Sequence, residues 1–333
     1  MPSSSSLLQQ IMKDDVFSVL IPTYNRADSL ITTLNSVKEQ TYRPLEVVIV
    51  DDGSTDHTKE VVQKWQSDHQ AEDFTILYQY KENGGVSSAR NLALALSSGF
   101  YIQYLDSDDT IFPKRLETLK NTFSKHQADY IQTGFQGIDE NTGEIVQKSF
   151  GREGQNMVHL VYRGLLGANT LRGSLTRELA VQIGNWNVEM TCFEDRLYME
   201  RAVILAKNPI SIREILATAT RTGEDRISNK LTSHEGRKWR IYCEAQLVQM
   251  STIVPNIPNN VFQEFKSRLF GLKLRSISMG WKDHAQQCEV LANKVTAQLN
   301  TKGKIRKNVA KLGQNGAKLY LLVGGIKRNI LKK

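Results

Sequence analysis

The sequence predicts an α/β protein: a mostly parallel sheet flanked by helices, with a helical C-terminal extension. Three observations point there. Short apolar runs recur between residues 17 and 105, and each stops at polar residues. Segments with helical apolar spacing separate them, and from Thr232 onward the pattern is helical almost throughout. Strands that alternate with helices of this length imply βαβ units and a parallel sheet.

Phe17 to Ile21 reads as the first strand, closed by Pro22-Thr23-Tyr24-Asn25-Arg26. Asp28 or Ser29 is positioned to cap a helix that keeps Leu30, Leu34 and Val37 on one side. Glu46 to Val50 is a second strand, and Asp56 is positioned to cap a helix that keeps Val61, Val62 and Trp65 on its inner face. Phe74 to Tyr80 is a third strand, followed by a turn over Lys81-Glu82-Asn83-Gly84-Gly85. A helix from Ser87 to Leu96 leads to a fourth strand, Phe100 to Leu105. Beyond Pro113 the rhythm loosens. Tyr130 to Ile138 and Glu144 to Phe150 predict a hairpin, Met157 to Leu166 and Glu194 to Ala206 helices, and Ile210 to Thr220 a strand. Pro255 and Pro258 interrupt the helical C-terminal region, as does the glycine-rich stretch between Gly313 and Gly325.

Composition narrows the function classes. Hydrophobic content of 40% and charged content of 23% are ordinary for a globular chain of 333 residues. The net charge of +8 is unevenly spread, since Lys302 to Lys333 hold ten cations and no acid. The rest of the chain is near neutral, which argues against nucleic acid as a partner and for an anionic surface met by the tail. That tail also carries the short apolar segment Leu319 to Val323, a combination suited to peripheral contact with anionic lipid. Cys192, Cys243 and Cys288 are odd in number and widely spaced, which suits a reducing cytosol rather than a disulfide framework. Met1 to Gln10 lacks the basic start and apolar run of a signal peptide. No stretch approaches the roughly 18–20 apolar residues of a membrane span. The expectation is a cytoplasmic protein, with the tail as its route to the inner face of the plasma membrane.

The chemistry gathers at the ends of the predicted strands. Val47 to Val50 runs into Asp51-Asp52-Gly53-Ser54, and Tyr101 to Leu105 runs into Asp106-Ser107-Asp108-Asp109. Ligands of open α/β sheets bind outside the carboxyl ends of the strands, where strand order reverses. In such a sheet the loops after strands one and four flank that crevice. Asp106 and Asp108, two apart, would point the same way in an extended chain and suit a hard cation such as Mg2+ or Mn2+. Such an ion pairs naturally with a nucleoside diphosphate. The turn after strand one has no glycine, and no GxxxxGK[ST] loop occurs, so dinucleotide and P-loop sites are disfavoured.

These residues carry a resemblance. Phe17 to Arg26, Gln40-Thr41, Val50 to Asp56, Gly85 through Ala89-Arg90-Asn91 and Leu105 to Asp109 occur in the order and spacing of the family 2 glycosyltransferases. The resemblance is specific over residues 17–115, weaker to about residue 222 and uninformative beyond. It implies a GT-A type, Rossmann-like fold and inverting transfer of a sugar from a nucleotide donor, usually a UDP-sugar, with Mg2+ or Mn2+. The implied layout is a flexible lead-in over 1–15 and a transferase domain over 16–222. That domain divides into a nucleotide-binding half, 16–115, and an acceptor half, 116–222. A helical region over 223–333 follows, ending in the basic tail 302–333.

Carried over by position, Pro22, Thr23 and Tyr24 would line the base and ribose pocket. Asp52, with Asp51 as a second candidate, would accept hydrogen bonds from the base, and Arg90 would approach the nucleotide. Asp106 and Asp108 stand where that family has its DxD motif. Asp108 would hold metal and diphosphate, and Asp106 the ribose or the metal. Family members also carry an acidic pair before a helix with an arginine some six residues on, here Glu194-Asp195 and Arg201. The second acid is usually the base, which makes Asp195 the first candidate and Glu194 the alternate.

A histidine that completes the metal site in some relatives has no counterpart in Thr220 to Ile227, and His234 lies further on. Arg221 or Arg226 is a candidate for phosphate contact there. The other histidines read as surface or core residues. Trp186 reads equally as a sugar-stacking ring or a core residue. The function expected is transfer of a sugar to a glycan or lipid-linked acceptor in surface polysaccharide synthesis. The alternatives are a catalytically silent nucleotide-sugar-binding assembly protein and a polyprenyl-phosphate glycosyltransferase.

Overall fold

A computed structural model describes residues 13–221, 233–295 and 301–311, together with 313–315, 317–318 and 321. Arg226, most of the 319–323 segment and the end of the basic tail lie outside the described residues. The described residues divide between two compact units. The first draws on the chain to Met157, on Ala168–Met190 and on Glu194–Asp225; the second on Val158–Gly167, Thr191–Phe193 and the chain from Arg226.

The first unit is built on one nine-stranded sheet. Strands β1 (Lys13–Thr23), β2 (Leu45–Asp51), β3 (Phe74–Tyr80) and β4 (Gly99–Tyr104) run parallel in the order β3-β2-β1-β4. Helices α1 (Ala27–Lys38), α2 (Thr58–His69) and α3 (Val86–Leu96) connect them. The order reverses beside β1, so the loops after β1 and β4 border one crevice, as the sequence predicts.

Past β4 the sheet is mixed. β8 (Gly173–Thr176) is antiparallel to β4, and β6 (Tyr130–Asp139) is antiparallel to β8. β9 (Pro209–Arg221) runs parallel to β6 and antiparallel to the short β5 (Asp109–Ile111). The predicted hairpin forms between β6 and β7 (Ile145–Ser149). The remaining helices of this unit are α4 (Arg115–His126), α6 (Arg177–Ile183) and α7 (Glu194–Leu205).

The core follows from the pattern of the first fifty residues. Phe17, Val19 and Ile21 alternate along β1 and meet Val47 and Ile49 of β2 and Leu30, Leu34 and Val37 of α1, all fully buried. Every residue of β2 is buried, the signature of a parallel strand covered on both faces. Neither Asp28 nor Ser29 caps α1: the helix begins at Ala27, and its first N–H donates to Asp56 Oδ2 at 3.2 Å. The cap is thus lent by the loop after β2, and Asp56 also accepts from Thr58 N (3.0 Å) at the start of α2.

In the second unit Tyr162 of α5 (Met157–Arg163) packs edge-on to Phe262 and Phe265 of α9 (Asn259–Ser278). Glu244 of α8 (His234–Met250) is fully buried and ion-paired with Arg240 at 3.1 Å and Arg268 at 2.5 Å. α10 (Lys282–Lys294) and α11 (Thr301–Ala310) complete it. The three cysteines are free and buried. Among the described residues no helix is long and apolar enough to cross a membrane.

Candidate active site at the carboxyl edge of the sheet

The loops after β1 and β2 are tied into one rim. Asp52 N donates to Thr23 O (2.9 Å), Asn25 N to Ser54 Oγ (2.8 Å) and Thr55 N to Asn25 Oδ1 (2.8 Å). Asn25 takes a positive φ of 50°, which asparagine tolerates better than most side chains. Pro22 and Thr23 are buried at this rim, whereas Tyr24 is 48% exposed.

The two acids after β2 have different jobs. Asp51 is fully buried; its Oδ1 accepts from Ser54 N (2.8 Å) and its Oδ2 from Tyr78 OH (2.7 Å). It braces the turn from inside. Asp52 accepts from Lys81 Nζ (2.6 Å), Gly84 N (3.0 Å) and Gly85 N (2.7 Å). It therefore supplies the N-terminal cap that α3 lacks in its own sequence, the Gly85 position having no side chain. Oδ1 takes two of these bonds and Oδ2 one, so one of the carboxylate's roughly four lone-pair sites is left for a ligand. Gly53 makes the tight approach possible: it sits at φ +88°, and a Cβ there would lie 2.8 Å from Asn83 N.

Arg90 links the next two acids. Buried on α3, it places Nη2 2.8 Å from Asp106 Oδ1 and Nη1 3.3 Å from Glu194 Oε1. Burial alone would lower its pKa, but the Asp106 and Glu194 carboxylates outweigh burial and raise it. The guanidinium stays charged. Its carbon lies 4.6 Å from the centre of the Trp186 ring, whose other neighbours are Tyr198, stacked at 3.9 Å, and Tyr104. Asn91 pins the Trp186 backbone through two hydrogen bonds of 2.8 and 3.1 Å. Trp186 is 2% exposed, so it supports Arg90 and is not available as a sugar-stacking surface.

The DxD segment differs from the extended geometry expected of it. Asp109 N donates to Asp106 O at 3.1 Å, closing a turn over Asp106–Asp109 before β5. The i, i+2 alternation of a strand therefore does not govern Asp106 and Asp108. Asp106 Oδ2 also accepts from Thr170 Oγ1 at 3.2 Å. Asp108 is half-buried in the middle of the turn. Asp109 ties the turn to β9 by accepting from Thr220 N at 3.3 Å.

Glu194 and Asp195 open α7, as predicted. Asp195 Oδ1 accepts from Arg196 N (2.6 Å), the usual use of an acid in a first helical turn. Its pKa is nonetheless pushed up to about 7, first by burial and then by the negative charge of Glu194; Arg90 pulls the other way.

Among the described residues, the structure thus gathers Asp106, Arg90, Glu194 and Asp195 into one charged cluster. It gathers Thr23, Asp51 and Asp52 into the adjoining rim. The sequence by itself assigns no role at the site to Lys81, Thr170, Tyr78 or Asn91. Lys81 carried a usable signal, a cation immediately after a strand at the acidic edge; Thr170 lies in a segment without periodicity. Arg221 ends β9, and nothing is described of residues 222–232. Thr23 Oγ1, Ser87 Oγ and Arg90 Nε are buried without a hydrogen-bond partner among the described residues. They belong to β1 and α3, which pack together. Unsatisfied buried polar atoms are rare and call for an explanation. No group of three His, Cys, Asp or Glu side chains suited to a metal occurs among the described residues.

Comparison with known proteins agrees with this geometry. An uncharacterized glycosyltransferase of Rickettsia bellii is 37% identical over 137 residues, 41% of this chain and 19% of that protein. Glycosyltransferase GlyA of Streptococcus pneumoniae is 37% identical over 134 residues, 40% of this chain and 18% of that protein. The chain thus spans about a fifth of the length of these relatives. Residues 1–349 of Staphylococcus aureus TarS, crystallised with UDP-GlcNAc, superpose with a TM-score of 0.59 at 20% identity. The match covers 84% of this chain and 91% of that one and is a likeness of fold. The profile described as "Glycosyl transferase family 2" matches residues 18–201, more than half of the chain. This chain belongs to glycosyl transferase family 2 and has its GT-A fold.

Proposed function

We propose that this protein transfers a sugar from a nucleotide-sugar donor, a UDP-sugar, to a hydroxyl of a glycan or lipid-linked acceptor, with inversion. The observation that carries the reading is the Arg90 bridge, which joins the loop after β4 to the acidic start of α7. It brings the expected donor-binding and base-bearing segments to one place. Thr23 Oγ1 and Ser87 Oγ, buried and without a hydrogen-bond partner among the described residues, are further support, as donors and acceptors for a polar ligand in the crevice. TarS, similar in fold, was crystallised with UDP-GlcNAc, which suggests UDP as the first nucleotide to try.

Asp195 is the base in this reading. A carboxylate that titrates near pH 7 is ionised often enough to accept a proton and basic enough to draw one from a hydroxyl in the transition state. Arg90 holds Glu194 and Asp106 in place and keeps a positive charge beside them, so that their repulsion does not drive the site open. Asp52 and the rim it braces would hold the base and ribose. The donor set suits Mg2+ or Mn2+: such ions bind through one or two carboxylates plus substrate phosphates, and Asp108 and Asp106 are two carboxylates on one turn. When bound, the ion would neutralise charge on the departing diphosphate.

The experiment is thermal-shift melting of the purified chain with a panel of nucleoside diphosphates, with and without Mn2+. Metal-dependent stabilisation by UDP is the expected result; a ligand at 100 times its Kd adds about 2.7 kcal/mol. No response to any nucleoside diphosphate would overturn the donor site.

A further inference from the structure

A second polar recess lies on the same edge of the sheet, two strands from β4. β4 and β6 both run antiparallel to β8, and Gln103 and Ile131 share the partner Ser174. From that common level Asp106 is three residues on along the chain, and Phe135, the partner of Ser149, is four. The end of β7 therefore stands at about the height of the Asp106 turn, and the loop after it runs back to Ser211, the partner of Gln132 on β6. Two hydrogen bonds from one short stretch of chain also join them: Thr170 Oγ1 donates to Asp106 Oδ2 at 3.2 Å, and Arg172 Nη2 donates to Phe150 O at 3.0 Å. Two residues of chain span at most about 7 Å.

At this place a groove of about 580 Å3 is lined by Lys148, Phe150, Arg152, Glu153, Gln155 and Arg213, among others. It is firmly built. Arg152 N donates to Ser211 Oγ at 2.7 Å, and Gly151 lies so close to β9 that a Cβ would fall 1.8 Å from Ile212 O. Lys148, Arg152 and Arg213 are exposed, and none pairs with a carboxylate among the described residues. Arg213 instead lies 5.5 Å from the centre of the Phe150 ring, itself 49% exposed. The charge of Arg152 also acts on Arg172. Three unpaired cations against one acid, around an exposed aromatic ring, suit a ligand that presents negative groups on a sugar framework: the cations meet the charge and the ring packs on the apolar face of a sugar.

We propose that this groove is an acceptor subsite for an anionic glycan, one bearing phosphate or carboxylate groups. The proposal rests on the transferase reading above for the word acceptor, and on the groove alone for the binding.

The test measures binding of three oligosaccharide probes to the full chain by calorimetry: neutral dextran, phosphorylated dextran and oligogalacturonate. Each is run at low and high salt on the wild type and on the Arg152→Glu/Arg213→Glu variant. UDP-induced melting shifts are recorded in parallel. The expected result is binding of at least one charged probe and not of dextran, weakened by salt and reduced at least tenfold in the variant. The better charged probe identifies phosphate or carboxylate as the group recognised. Equal binding of dextran and the charged probes, or an unchanged variant, would overturn the proposal. Should the double variant melt early, Lys148→Ala, at an exposed position, takes its place with the same criteria. A wild type that binds the charged probe but gives no UDP shift would retain the groove and remove the donor site instead.

Discussion

The guanidinium of Arg90 lies 2.8 Å from Asp106 and 3.3 Å from Glu194, residues separated by 88 positions of chain. One buried cation therefore holds two carboxylates that would otherwise repel each other at the start of α7 and the end of β4. Removing one member of a buried charge set typically costs about 3–5 kcal/mol, because the partners are left uncompensated. Arg90→Met is expected to lower stability by that order in urea denaturation and to abolish the UDP-dependent melting shift. A variant as stable as the wild type would show that the bridge does not organise the site.

Asp195 connects pH to stability and, as the proposed base, to activity. With its pKa raised to about 7, the folded protein holds a proton there that the unfolded chain has already lost above pH 4–5. Stability should therefore fall as pH rises from about 4 to 7 through this group, because the unfolded state binds fewer protons. Activity should run the other way, rising through an apparent pKa near 7 as the base ionises. Asp195→Asn is expected to reduce kcat by roughly 10^2–10^4 and to gain stability relative to wild type between pH 5 and pH 8. A flat pH profile for the wild type would remove Asp195 from the base role.

Gly53 tests the rim. Alanine there meets Asn83 N at 2.8 Å and must adopt φ +88°. Strain of this kind costs on the order of 1–3 kcal/mol. The expected outcome for Gly53→Ala is a lower melting temperature with a weaker UDP shift, since the Asp51-Asp52 turn must move. Unchanged melting and nucleotide response would mean that the turn is not rigid.

Asp108 is the position at which metal and diphosphate are expected to meet. Asp108→Ala should keep the fold, as read by circular dichroism, and should lose the Mn2+-dependent part of nucleotide stabilisation and of donor turnover. Retained metal dependence would assign the ion elsewhere.

The first four strands and the three helices between them were legible in the chain, because each answers to a local rule: an apolar run for a strand buried on both faces, or helical spacing of Leu30, Leu34 and Val37. So were the carboxyl-edge acids Asp51, Asp52, Asp106 and Asp108 and the opening of α7 at Glu194. What the sequence by itself determined is thus the α/β class, the place of strand reversal and the residue types at the rim. Tertiary structure alone decided how those residues divide their work. Asp51 is spent on Ser54 and Tyr78, Asp52 on the start of α3, and Trp186 on backing Arg90. The cap of α1 comes from Asp56, and Thr170 reaches Asp106 across 64 residues. Periodicity reports which side of its own element a residue occupies; it carries no information about the donor or acceptor that another loop brings within 3 Å.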